Sequence, residues 1–179
     1  MKIQAAVLHA PQHPLQIETL DLEAPRADEI LVRLVATGIC HTDIAMLARP
    51  FPVQQPIVLG HEGAGIVEAV GPYVTKVQPG DRVVMSYTAC GHCPSCDDHA
   101  PSYCHDFFAQ NFVGQRADGS TALRLNGAPV LHNFFGQSSF ASHCLCTQRN
   151  VVKVPDSVPD AVFDMLGPLG CGIQTGAGA

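Results

Sequence analysis

The chain has 179 residues, with 16 Asp+Glu against 10 Lys+Arg and a formal net charge of -6. That length suits one domain, and the acidic balance argues against nucleic acid or an anionic membrane as partner. Hydrophobic residues at 46% allow a packed core, while charged residues at 15% fall below the usual quarter or so, which argues against disorder and points to a surface partly covered in use.

From the N-terminus, Met1-Lys2-Ile3-Gln4 leads into a strand pattern rather than a signal peptide, and no run reaches the roughly 18 apolar residues of a membrane span, so the expectation is a soluble cytoplasmic protein. Residues 3–8 and 15–22 are alternating or β-branched runs separated by the Pro11-Gln12-His13-Pro14 turn. Residues 29–37 form the clearest strand, closed by Gly38, and Cys40-His41-Thr42-Asp43 follows as a turn or helix start. Pro50, Pro52 and Pro56 imply an extended loop. Gly60-His61-Glu62-Gly63 precedes a strand at 64–70 that ends at the Gly71-Pro72 turn, and Pro79-Gly80-Asp81 introduces another at 82–87. Residues 89–106 lack apolar periodicity and are dominated by Cys, His, Pro and Asp. Residues 107–137 read as irregular, with the pairs Phe107-Phe108 and Phe134-Phe135 and an Asp118-Gly119 turn. Strands are expected again at 140–147 and 151–154, then a helix at 159–166 capped by Ser157 or Asp156, then a helix start within 167–172. With 16 Gly and 14 Pro, the pattern predicts one all-β domain, a partly barrel-like sheet with a metal-loop insertion, without internal repeats or a flexible linker.

Eight cysteines without a secretory signal read as metal ligands or buried thiols rather than disulfides. They are Cys40, Cys90, Cys93, Cys96, Cys104, Cys144, Cys146 and Cys171. Cys90-x2-Cys93-x2-Cys96-x7-Cys104 brings four thiolates within reach of one tetrahedral centre, and four soft ligands at about 2.3 Å suit zinc with no open position, so the site is structural. Its binding energy would fasten a segment that has no core of its own. The competing readings are a redox pair, which needs a βαβ context the pattern lacks, and an iron–sulfur cluster. His92, His99 and His105 lie in or beside this lobe and compete as ligands in principle. Exposed loop histidines are the plainer reading, because four cysteines complete the shell.

Cys40, His61, Glu62 and Cys171 are too widely spaced for the pattern alone to join them, and a lone Cys at a strand end is most often a small buried hydrophobe. A resemblance joins them. Gly38-Ile39-Cys40-His41-Thr42-Asp43, Gly60-His61-Glu62-Gly63-Ala64-Gly65, Pro79-Gly80-Asp81-Arg82-Val83, the four-cysteine lobe and the segment 167–179 together resemble the zinc-containing medium-chain alcohol dehydrogenases, in order along essentially the whole chain. Phe107-Phe108 through Phe112, Ser138-Ser139-Phe140 and the final segment are most similar to the aryl-alcohol (benzyl alcohol) branch.

The resemblance implies a mainly β fold, a GroES-like, partly open β-barrel with a few short helices, and two zinc ions per chain, one in the lobe and one catalytic ion held by Cys40, His61 and Cys171 with its fourth position open; alcohol dehydrogenase is itself a standard example of such a Cys2His site. It implies oxidoreductase chemistry in which primary alcohols and aldehydes, aromatic ones by the narrower resemblance, interconvert by hydride transfer from a zinc-bound alkoxide to NAD, in a homo-oligomer. Thr42 would bond the substrate oxygen and begin a proton relay, against the alternative of a helix-capping threonine. Asp43 would fix the tautomer of His61. Glu62 would lie behind the metal and ligate it transiently, or else be a buried acid paired with a cation. His41 would face the cofactor pyrophosphate, and Phe134 and Phe135, with Tyr87 or Ser86, would line an apolar slot for the substrate ring. Ala45 stands where many relatives carry a relay histidine, a departure shared with the aryl-alcohol branch, so the proton would leave through water, the cofactor ribose or His41.

The second half of that family, with its Gly-x-Gly-x-x-Gly turn between strand and helix, finds no match here: Gly176-Ala177-Gly178 lacks the rest of the pattern. The expectation is therefore an N-terminal catalytic domain over residues 1–179, with a zinc lobe at about 89–106, that does not turn over alcohol with NAD by itself. Two alternatives stay open: a zinc-stabilised GroES-like interaction module without catalysis, and a formaldehyde or polyol dehydrogenase of the same family.

Overall fold

The structure is a computed structural model that describes residues 1–48 and 53–178; the expected loop at Pro50 and Pro52, and Ala179, lie outside the described residues. In chain order the strands are β1 (Lys2–Leu8), β2 (Gln16–Leu22), β3 (Glu29–Thr37), β4 (Ile57–Val58), β5 (Gly63–Val70), β6 (Arg82–Met85), β7 (Leu123–Leu125), β8 (Ala128–Val130), β9 (His143–Thr147) and β10 (Val151–Lys153). The α-helices are α1 (His41–Ala48), α2 (Pro94–Asp97), α3 (Phe107–Phe112), α4 (Asp160–Phe163) and α5 (Gly172–Ala177). Among the described residues no helix is long and apolar enough to cross a membrane.

The strands form two antiparallel five-stranded sheets, ordered β4-β1-β2-β7-β8 and β10-β6-β5-β3-β9. Alternation decides which face goes inside: Ile3, Ala5 and Val7 of β1 pack with Leu20 and Leu22 of β2 and with Leu123 and Val130 of the β7–β8 hairpin. The first sheet closes on itself, because Val58 N–H donates to Leu131 O at 3.0 Å and Leu131 N–H to Pro56 O at 2.8 Å. In the second sheet Ile30 and Val32 of β3 meet Val67, Val83, Met85, Cys144, Cys146 and Val151. Cys144 and Cys146 are thus core residues, and burial pushes the Cys144 thiol up to about 12, which makes it inert. The sheets join where Ala6 N–H donates to Phe140 O at 2.8 Å and Ser142 N–H to Gln4 O at 2.7 Å. Bulges between Leu31/Val32 and Leu34/Ala36 interrupt the β3–β5 register, coiling this pair toward Gly38 and Gly63 at the open end.

Strand 29–37 has the expected bounds, and several other expectations are corrected. The strand expected at 82–87 stops at Met85, with a last bond from Ser86 N–H to Asn150 O at 2.9 Å in register with the β6–β10 pairing, and the strand expected from 140 starts at His143. Residues 107–137 are not irregular: they hold α3 and the β7–β8 hairpin, which turns through Asn126 (φ 51°) and Gly127 (φ 85°). Asn-Gly is the strongest short hairpin signal in a sequence, but three-residue strands are too short to show alternation. The helix expected at 159–166 is only α4, with Pro159 as its N-cap and no side-chain cap bond. Neither Ser157 nor Asp156 caps it, because the Arg82 guanidinium draws in the carbonyls of Pro155, Asp156 and Val158 instead. The chain then tightens into a 3-10 turn, Gly167–Gly170, before α5.

Candidate functional site

The lobe is almost bare of apolar support. It contains α2 and the 3-10 turn Pro101–Tyr103, and its buried residues are Cys90, Cys93 and Cys104, with Ala89, Cys96 and Phe107 against them. One sulfur from each of Cys90, Cys93, Cys96 and Cys104 lies within 4.8 Å of all the others. Cys90 Sγ and Cys96 Sγ are 3.9 Å apart, close to the roughly 3.8 Å separation that tetrahedral bonds of about 2.3 Å produce. The Cys93 thiol is pulled down to about 6, chiefly by the His105 backbone N–H. At Cys90 the His92 N–H likewise pulls the thiol down, but burial and the Cys104 thiol outweigh it and carry it up to about 12. Thiols this close cannot all ionise without a cation among them, so the donor set fits zinc. His99 and His105 are exposed and outside this set; His92 is exposed too, but shares a second grouping with Cys90 and the exposed Asp106.

The second cluster is assembled by the barrel. Cys40 precedes α1, His61 and Glu62 lead into β5, and Cys171 joins the 3-10 turn to α5. Their donor atoms all fall within 4.8 Å of one another, with Cys40 Sγ and Cys171 Sγ 3.9 Å apart. Asp43, fully buried in the first turn of α1, accepts from Cys40 N–H (3.0 Å) and Gly60 N–H (3.1 Å) and faces His61 Nδ1 at 3.0 Å. A carboxylate accepting the Nδ1 proton leaves Nε2 as the lone-pair nitrogen. That Nε2 is buried and has no hydrogen-bond partner among the described residues. An orphaned acceptor is costly, and here it lies among two thiols and a carboxylate, so this donor set also fits zinc, with His61, Cys40 and Cys171 as holders.

Burial would lower the His61 pKa, but Asp43 and then Cys40 outweigh it and raise it. Burial would likewise raise Cys40, yet the Thr42 N–H and hydroxyl, with His61, hold its thiol below the usual range. Burial and the adjacent Cys40 push Cys171 up to about 12. Only one of the two thiols ionises readily without a cation.

Thr42 sits inside α1, one residue past its start, with Oγ1 3.7 Å from Cys40 Sγ; it is not a capping residue. Glu62 is buried and accepts from Gly172 N–H at 2.9 Å, and among the described residues no cation pairs with it. Gly38 is required beside it, since a Cβ there would come 2.0 Å from Glu62 Oε2. His41 is exposed at the start of α1.

The aromatic pair divides. Phe135 is half-buried and stacks on His61 with ring centroids 4.6 Å apart. Phe107 and Phe112 meet Phe135 at 6.3 and 5.0 Å, and Tyr87 meets Phe107 at 5.5 Å. Phe134 is corrected: it is fully buried, edge-on behind His61 at 5.7 Å, and packs with Leu8, Ile57 and Leu59, so it cannot line a slot. Tyr87 and Ser86 border an open cleft of about 600 Å³ running toward Gln174 and Arg149. Sequence reading missed Gln137 and Ser139: Gln137 bonds the His61 carbonyl at 2.9 Å and Ser139 Oγ lies 2.9 Å from Thr37 Oγ1. Isolated polar residues in a loop give no periodic signal that would mark them.

Comparison with known proteins gives a consistent picture. Residues 26–156 match the profile of the alcohol dehydrogenase GroES-like domain. The geraniol dehydrogenase of Castellaniella defragrans is 51% identical over 177 residues, covering 98% of this chain and 46% of that protein. Among solved structures, an alcohol dehydrogenase zinc-binding domain protein from Burkholderia ambifaria superposes with a TM-score of 0.95 at 54% identity, covering 100% of this chain and 48% of the other. The benzyl alcohol dehydrogenase of Acinetobacter calcoaceticus gives 0.92 at 48% identity, covering 100% and 47%. The chain thus spans about half the length of the relatives it matches.

Proposed function

The chain belongs to the alcohol dehydrogenase GroES-like domain family, and on that premise we propose that residues 1–179 are the catalytic part of an NAD- and zinc-dependent dehydrogenase of primary alcohols with an aromatic substituent. The observation that carries this reading is the convergence of Cys40, His61 and Cys171 around a buried imidazole nitrogen that has no partner. Zinc held by these residues supplies Lewis-acid polarisation of an alcohol or carbonyl oxygen. NAD supplies the hydride acceptor.

This chain's own groups do the rest. Asp43 holds the His61 proton on Nδ1 so that Nε2 faces the two thiols. Thr42 Oγ1, beside Cys40, accepts a hydrogen bond from the substrate hydroxyl and hands its own proton to water. Ala45 offers no side chain to continue that relay, and with Asp43 buried the group on α1 that reaches solvent beside Thr42 is the exposed His41. His41, at the start of the helix, also suits the pyrophosphate of the dinucleotide. Glu62, anchored by Gly172 N–H, is poised behind the metal ligands. Phe135, with Phe107 and Phe112 around it, offers a flat apolar wall next to His61. Relatives named for geraniol and for benzyl alcohol support an unsaturated or aromatic substituent on the alcohol carbon.

The test is zinc per chain by elemental analysis after purification without chelator. Two equivalents are expected for the wild type and one for Cys40→Ser; a single equivalent in the wild type overturns the catalytic-site assignment. In a protein carrying this chain together with a cofactor-binding half, NAD-dependent oxidation of benzyl alcohol should exceed that of ethanol in kcat/KM, and the reverse order removes the aromatic assignment.

A further inference from the structure

Gln137 is completely buried, in a loop that sequence patterning gives no reason to single out. Its amide makes three hydrogen bonds, using both N–H donors and the carbonyl oxygen. Oε1 accepts from Gly63 N–H at 3.0 Å, and Nε2 donates both to His61 O at 2.9 Å and to Ser86 O at 3.1 Å. Ser86 extends the chain of bonds: its hydroxyl donates to Gly170 O at 2.6 Å, and Gly170 is the residue before Cys171. The packing at that joint is tight, since a Cβ on Gly170 would fall 1.8 Å from Met85 O. Gln174 adds a bond to the same Gly170 carbonyl at 2.7 Å.

The loop that presents Gln137 is over-determined. Asn133, Phe135 and Ser138 take positive φ values of 71°, 51° and 56°, uncommon for side-chain-bearing residues. They are held there by Phe134 N–H to Ser138 Oγ (3.0 Å), Ser139 N–H to Gly60 O (2.9 Å) and Asn150 Nδ2 to Gly136 O (2.9 Å). The loop therefore grips the residues on both sides of His61, Gly60 and Gly63, and also stacks Phe135 on its ring. A hydrophobic residue of similar volume would fill the space at 137 equally well, but it would sever two of the three strands of chain that meet there.

We propose that Gln137 is a positioning residue for the metal centre, fixing the His61 peptide against the Ser86–Gly170 joint that carries Cys171 and so setting the separation of two metal ligands that lie 110 positions apart in sequence. The inference rests on the assignment of Cys40, His61 and Cys171 as metal holders. Asp43 orients the imidazole ring, whereas Gln137 places the backbone from which that ring projects.

The experiment loads the chain with Co2+ in place of zinc and follows the visible thiolate–cobalt spectrum and the release of metal to a chelator, with the four-cysteine lobe as internal control. Gln137→Met should speed metal release from the Cys40, His61 and Cys171 site by about tenfold or more, the range found when supporting hydrogen bonds to ligands are removed, and should shift that site's spectrum while lobe release stays unchanged. Should Gln137→Met fail to fold, Ser86→Ala decides: it cuts the second joint at a half-buried surface position, is expected to act in the same direction, and Ser86→Thr should restore the wild-type rate. Variants that fold with wild-type spectrum and release rates overturn the proposal, as does equal acceleration at both metal sites, which marks a merely structural role. A wild-type chain that takes up a single metal ion overturns the metal-site assignment and the inference with it.

Discussion

The lobe at 90–104 and the Cys40, His61, Cys171 cluster both bring thiols toward one point, and they do so by opposite means. The lobe gathers its ligands from 15 consecutive residues around short turns, and among the described residues only Ala89 and Phe107 join its cysteines in an apolar cluster. The second cluster draws on residues up to 131 positions apart, and every element that carries one is anchored in the barrel. Asp43, His61 and Glu62 are at most 3% exposed and are hydrogen-bonded to the ends of β5, α1 and α5. A lobe built this way would owe its order to a metal, whereas the second pocket is preformed by the fold and would offer a metal a ready site. The physical difference is where the ordering entropy would be offset: by ligand bonds in one region and by hydrophobic burial in the other.

The sharpest way to break that contrast is to remove one lobe ligand. Cys93→Ala should release the lobe metal, abolish hydrogen-exchange protection across 89–106 and lower Tm on the order of 10 °C. A lobe that stays protected after losing Cys93 or after chelation would erase the distinction.

Asp43→Ala attacks the other region at its centre. It strips the partner from Cys40 N–H, Gly60 N–H and His61 Nδ1 together. Metal affinity at that site should fall about 10- to 100-fold, with a stability loss of a few kcal/mol from the orphaned donors. Lobe metal, measured in the same titration, should not move.

Acid acts on the barrel that carries the second cluster rather than on the lobe. His132 lies beside the barrel closure, its Nδ1 2.9 Å from Thr121 Oγ1, and burial, with the nearby Arg116, lowers its pKa to about 4. The folded state keeps this imidazole neutral, while the unfolded chain takes up the proton near pH 6.5, so its contribution is complete above about pH 6.5 and drains away as the pH falls to about 4, on the order of 3 kcal/mol in all. Urea midpoints across that interval should fall for the wild type and fall much less for His132→Gln; parallel slopes would show that His132 is not the titrating group.

The smallest effect is expected from Cys171→Ala. Its side chain is half-buried at the joint between the 3-10 turn and α5, and the cost should stay below about 1 kcal/mol, a shift of a few degrees in Tm. A drop as large as that of Cys93→Ala would mean that the second pocket also depends on its metal for order.

The contrast between the regions also sets what can be read from residues alone. Cys90-x2-Cys93-x2-Cys96-x7-Cys104 is legible because the ligands are close in sequence, where spacing constrains geometry. The long strand 29–37 is legible because nine residues show their burial pattern. The β7–β8 hairpin was overlooked despite Asn126-Gly127, since three-residue strands carry too little alternation to register. Phe134 and Phe135 are neighbours of the same type with different fates: the turn through φ 51° at Phe135 sends one ring into the core and the other over His61.

By itself, the sequence determined a mainly β class, the principal strands and the four-cysteine lobe, and its motifs pointed to a family whose resemblance implied a shared site for Cys40, His61, Glu62 and Cys171. Only the tertiary structure brings those donor atoms to one point, leaves Nε2 without a hydrogen-bond partner among the described residues, and ties the ligand segments together through Gln137 and Ser86. Periodicity and spacing report local geometry, because neighbouring residues share one backbone path. Contacts over more than a hundred residues depend on how the sheets close and bulge, and that depends on the packing of the whole chain.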